Sequence, residues 1–163
     1  MPLAALSLVA LLASAAPTGS TSPGPVEQPP ALPPDSLLAP PMILERLGEH
    51  RRPVATESAE ARRWFDQGLA LMNGYNFDGA IASFLEATRH DPEFAMAWWG
   101  IGYAAGPNQN NELIVPPKDQ WSFAAAQRAY ELRGRETGAN LALIEALDRK
   151  STRLNSSHTV ISY

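Results

Sequence analysis

A step of 34 residues carries Trp64 to Trp98 and Gly68 to Gly102. The two segments are Trp64-Phe65-Asp66-Gln67-Gly68 and Trp98-Trp99-Gly100-Ile101-Gly102, and between them lie Ala80, Phe84, Ala87 and Pro92. A period of this length is one helix–turn–helix unit, which buries its apolar face only against neighbouring units. The small residues let helices approach closely, while Trp64, Phe84 and Trp98 are expected to fill the gaps as core. The expected fold class is all-α, with helix–turn–helix repeats stacked as a short right-handed solenoid. Arrays of this kind act by offering a groove to a partner.

Local patterning places the helices. Ala61, Trp64, Phe65, Gly68, Leu71 and Met72 recur at three- and four-residue steps, which predicts a helix over 57–73. Thr56 is its expected N-cap, with Glu57 and Glu60 at the positive end of the dipole. Asn73-Gly74 ends it. A second helix is predicted over 78–90, with Ala80, Ile81, Phe84, Leu85 and Thr88 on one face. Asp91-Pro92 then breaks the chain and opens a third helix, Asp91 as cap and Pro92 in the first turn. Ala95, Trp98, Trp99, Gly102 and Ala105 line it. Gly106-Pro107-Asn108-Gln109-Asn110-Asn111 is turn chemistry, and the loop it opens is about ten residues longer than the plain repeat requires. A fourth helix follows over 118–133, and a fifth starts near Ala139 and is cut off by the tail.

The ends differ in kind. Residues 2–16 carry no charge and are too few to span a bilayer, which takes about 20 apolar residues. Ala13-Ser14-Ala15 fits a signal cleavage pattern, so residues 1–15 are expected to export the chain to a periplasmic or extracellular location, with no membrane span left after cleavage. Residues 16–55 form a Pro-rich linker, with a short helical turn expected over 42–48, and 56–147 the helical domain. Asp148–His158 resembles one translated frame of a common sequencing-library adaptor, with Thr159–Tyr163 fitting its continuation. Residues 148–163 are therefore expected to be non-native, with the natural protein cut short near Leu147.

Composition excludes several functions. The net charge of −4 becomes −6 for residues 16–147 once the uncharged leader and the basic tail are set aside, which argues against nucleic-acid binding. The chain has no cysteine, so disulfides and cysteine-ligated metals are excluded. His50 and His90 lack a helical partner of ligand type, and no metal or other cofactor is expected. No nucleophile–base pair, phosphate loop or paired-carboxylate motif stands out.

Trp64, Gly68, Ala80, Phe84, Ala87 and Pro92 resemble the signature of the tetratricopeptide repeat. Two positions depart from it: Gln67 stands where the family carries a large residue, and Leu71 where it carries tyrosine. More narrowly, Trp64–Leu69, Asp91-Pro92, Ala95–Gly100 and Gly106-Pro107-Asn108 are similar to a group of bacterial exported tetratricopeptide proteins. Members often carry cysteines where Phe94 and Ala97 stand here, so a role for such cysteines does not transfer. The resemblance covers about residues 50–147 and implies a tetratricopeptide-like solenoid acting as a scaffold for a protein or peptide. The alternative is the N-terminal helical part of a larger enzyme or small-molecule binder whose active site lies beyond Leu147.

Three groups of residues are candidate sites. Asn73, Trp99 and Tyr103, on the first and third helices, are the expected partner groove; adjacent residues cannot share a helix face, so one of Trp98 and Trp99 is free to point there. Asn108, Asn110 and Asn111 either hold a polar ligand or only satisfy their own turn. Arg51, Arg52, Arg62 and Arg63 form a basic cluster, read either as a solvated face balanced by Glu57 and Glu60 or as an anion site. No catalytic residue is assigned.

Overall fold

The structure, a computed structural model, describes residues 42–45, 47–48, 51–107 and 117–159, with side chains through residue 153. Among these residues all regular structure is helical. The elements are α1 (Ala59–Asn73), α2 (Phe77–His90), α3 (Ala95–Ala105), α4 (Lys118–Glu131), a 3-10 turn (Arg133–Arg135) and α5 (Gly138–Thr159). No helix among them is long and apolar enough to cross a membrane. Each helix packs on the next, and α3 also touches α1 and α5.

The helix boundaries follow from where the end groups find partners. Ser58, not Thr56, caps α1: its hydroxyl accepts from the Ala61 amide at 3.1 Å. Thr56 is drawn away by a distant partner, donating to Asp91 Oδ2 at 2.6 Å. At the other end of α1 the left-handed residue is Tyr75, with φ 61°, one position after Gly74. The Asn76 amide donates to the Leu71 carbonyl and the Tyr75 amide to that of Met72, the paired bonds of a Schellman ending. Asn76 then caps α2 through the Gly79 amide. Asp91 closes α2 rather than opening α3, since its own amide donates to Ala87; the turn through Phe94 precedes α3.

Two expectations along the chain are corrected. The described residues of 42–48 form no helical turn, and α4 ends at Glu131, short of Arg133. The fifth helix starts where patterning put it but is not cut off by the tail: it runs unbroken across Leu147 and Asp148 to Thr159.

The core is organised by phenylalanine. Phe65, Phe84 and Phe94 are fully buried, and the Phe65 ring lies 5.6 Å from that of Phe84 and 4.9 Å from that of Phe94. Trp64 and Trp98, expected at the centre, are only partly buried at its edge. The reason for Trp98 is polar: its indole N–H donates to the Pro92 carbonyl at 2.9 Å, which holds the ring near the surface. Phe84 sits between two glycines. A Cβ added at Gly68 of α1 would stand 2.5 Å from one edge of its ring, and one at Gly100 of α3 would stand 2.7 Å from the other. Gly102, the residue 34 after Gly68, faces α4 and α5 instead, where a Cβ would meet Leu147, Ala126 N and Ser122 O at 3.0–3.2 Å.

Candidate functional site

An open groove of about 850 Å³ runs between α1, α3 and the start of α5. Leu69, Met72 and Asn73 line it from α1 and Trp99 from α3. Arg135, Glu136 and Thr137 contribute the turn before α5, and Ala139 and Asn140 its first residues. The remaining wall is Arg51–Ala55, part of the segment expected to be linker.

That non-helical segment is hydrogen-bonded on both edges. On one edge Asn140 Nδ2 donates to the Pro53 carbonyl at 2.8 Å, and the Ala55 amide donates to Glu136 Oε1 at 3.1 Å. On the other, Arg62 Nη2 of α1 donates to the carbonyls of Val54 and Thr56 at 3.1 and 3.3 Å. Residues 51–54 carry no regular structure, and the chain bends at Ala55. The reading groups are themselves held. Asn140 Nδ2 also donates to Glu136 Oε2 at 2.8 Å, and Arg52 Nε donates to Asn140 Oδ1 at 2.5 Å. Glu136 is 5% exposed, so its carboxylate depends on these N–H donors for solvation.

The same chemistry recurs at Gln67. Its amide nitrogen donates to the Met42 carbonyl and to Ser83 Oγ, both at 3.0 Å, and its oxygen accepts from the Leu44 amide at 2.8 Å. Again the groups read are a carbonyl and the amide two residues on. Gln67 is 7% exposed, a burial that a carboxamide tolerates only when bonded. Gln67 thus ties the chain ahead of the domain to α1 and, through Ser83, to α2.

The sequence-derived site residues fare differently. Asn73 and Trp99 both line the groove; Trp99 is 6% exposed, with its ring stacked on Tyr103 at 5.3 Å. Tyr103 lies outside the groove wall and is exposed. Asn108, Asn110 and Asn111 lie outside the described residues. In the basic cluster, Arg52 Nε is bonded to Asn140 and Arg62 Nη2 to the carbonyls of Val54 and Thr56. Glu136 and Asn140 were not singled out in the sequence. Their four-residue spacing on its own describes any polar helix face, and their partners stand more than 80 residues earlier.

One charged group on α1 is poorly served. Asp66 Oδ1 is buried without a hydrogen-bond partner. Burial pushes the Asp66 carboxyl above its ordinary range, against the opposing pull of Arg62 and Arg51. Among the described residues no group of three or more His, Cys, Asp or Glu side chains is placed to hold a metal ion. Compared with protein-family models, with curated proteins and with solved structures, the chain matches none.

Proposed function

We propose that this chain is a tetratricopeptide-type module, its helix pairs stacked as a short right-handed solenoid, which binds an extended peptide or protein segment in the groove between α1, α3 and the start of α5. One observation carries the reading: one wall of the groove is itself a non-helical stretch of backbone, hydrogen-bonded at Pro53 and Ala55 by Asn140 and Glu136. Beside that stretch lies an apolar floor of Leu69, Met72 and Trp99, with Asn73 at its margin. Hydrogen bonds to a peptide's backbone for affinity, with adjacent pockets for its side chains, are a recurring mode of peptide capture. We read residues 1–15 as the signal that exports this module.

The test is an array of extended octapeptides probed with the labelled full chain. Binding to a subset, lost in Met72→Glu, is the expected result, because a carboxylate placed in the apolar floor repels aliphatic side chains and carries its own desolvation cost. Binding to no peptide, or binding unchanged in a folded Met72→Glu protein, overturns the reading.

A further inference from the structure

Residues 51–55 occupy one wall of the groove as a ligand would. Two backbone groups on one edge of the segment are taken by Asn140 and Glu136, and Arg62 takes two carbonyls on the other. Arg52 adds the only side-chain hydrogen bond from this segment to the reading pair. Val54 packs against the core. Removing the segment changes the site's electrostatics. Two of the three groove arginines, Arg51 and Arg52, belong to the segment and leave with it, while Arg135 stays ion-paired to Glu93. What remains is Glu136, a carboxylate that has lost one of its donors, beside Asn140, whose carbonyl has lost Arg52. Water takes the place of those donors, and a peptide that brings back an N–H and a cation displaces it.

Resting on the groove reading above, we propose that residues 51–55 are a displaceable occupant supplied in cis, and that the partner is an extended peptide of the same chemistry. Its elements are a cationic side chain for Asn140 Oδ1, a following residue whose carbonyl meets Asn140 Nδ2, an aliphatic residue in the place of Val54, and a free N–H for Glu136. The chain's own segment fills the site first. A partner in trans therefore binds with an affinity reduced by the fraction of time the site is open. Weakening the cis segment raises that fraction without touching the reading pair.

The probe is a fluorescent peptide with the sequence of residues 51–56, Arg-Arg-Pro-Val-Ala-Thr. It is titrated into the full chain and into the full-length Arg52→Ala/Val54→Gly variant. The variant is expected to bind it about tenfold or more tightly than the unaltered chain. Methylating the peptide nitrogen at the position of Ala55 removes the N–H that Glu136 accepts and is expected to abolish the gain. Equal affinity in both proteins, or a methylated peptide that binds as well, overturns the proposal. The variant's folding is checked by helical circular dichroism.

Should the variant fail to fold, hydrogen exchange on the unaltered chain decides. A displaceable segment lets the Ala55 amide exchange about a hundredfold or more faster than core amides of α2, through local opening. Exchange of Ala55 only with global unfolding makes the segment a fixed part of the fold and overturns the proposal. Array peptides that bind and are lost in Met72→Glu, with no gain for the arm peptide in the variant, overturn cis occupancy while leaving the groove reading standing.

Discussion

Gly68 and Gly102 stand 34 residues apart, yet the contact between α1, α2 and α3 and the contact between α3, α4 and α5 are packed differently. In the first, a ring from α2 is inserted between two glycines, Gly68 and Gly100, and is backed by Phe65. In the second, Gly102 brings α3 against the backbone of α4, and small residues such as Ala125, Ala126 and Ala129 fill the interface. Ser122 Oγ donates to the Gly102 carbonyl at 2.8 Å across that approach. One helical period thus admits two solutions, a wedge of high volume or a close backbone approach. The choice is made by what stands opposite the glycine.

The turns contrast in the same way. The turn before α5 places Gly138 at φ 55°, whereas the turn between α1 and α2 places Tyr75 at φ 61°. A left-handed conformation is nearly free for glycine and costs roughly 1–2 kcal/mol for other residues. The first contact therefore combines the larger aromatic burial with the more strained connection.

The comparison can be broken most directly at the wedge. Phe84→Ala is expected to destabilise by about 3–5 kcal/mol, the range for emptying an aromatic site in a core, and urea denaturation measures it. If the loss is no larger than that of Ala126→Gly, the two contacts are not different in kind. Next in size is the pair Gly68→Ala and Gly102→Ala. Gly68→Ala drives a methyl into a ring that Gly100 blocks from behind, so overpacking of about 1–3 kcal/mol outweighs the gain in helix propensity. Gly102→Ala meets its neighbours at 3.0 Å or beyond and is expected to cost less, a difference read from paired thermal melts. Tyr75→Gly sharpens the contrast from the other side. It is expected to stabilise by about 0.5–1 kcal/mol, offset in part by loss of the Tyr75–Phe77 edge contact at 6.2 Å.

The smallest effect concerns pH. Asp66 titrates above its ordinary value of 3.8 in the folded protein because burial disfavours its charge. In the window between the two values the folded protein holds a proton that the unfolded chain has released. Stability on this account is greatest below the window and falls as pH rises through it. Asp66→Asn removes that slope, and denaturation midpoints over roughly pH 3–6 reveal it. An unchanged pH profile in Asp66→Asn would mean that Arg51 and Arg62 cancel the burial.

The helices were legible because their signals are local. The apolar stripes, the Asp91-Pro92 break and the glycines at Gly134 and Gly138 act within a turn or two of themselves. The choice among equivalent local signals was not legible. Thr56 and Ser58 are both competent caps, and the contest is decided by Asp91, a residue 35 positions away. Phe94 and the two tryptophans are all large and apolar, and only the hydrogen bond to Pro92 explains why Trp98 stays outside. At the groove, Asn73 and Trp99 could be nominated from helix position. Glu136 and Asn140 acquire their role only when the fold carries Pro53 and Ala55 to them. Gln67 is visible in the sequence as an anomaly, but the pattern over 42–48 predicts a helical turn and not the non-helical chain that Gln67 binds at Met42 and Leu44.

Phe84 has a mechanical consequence for the groove in front of it. The α1 wall, with Leu69 and Met72, and the α3 wall, with Trp99, are gauged against opposite edges of the same ring. That ring is fully buried on α2, out of reach of anything that enters the groove. The aperture is thus calibrated from behind by a spacer of fixed thickness. A change in the thickness of that ring therefore moves the two walls relative to each other.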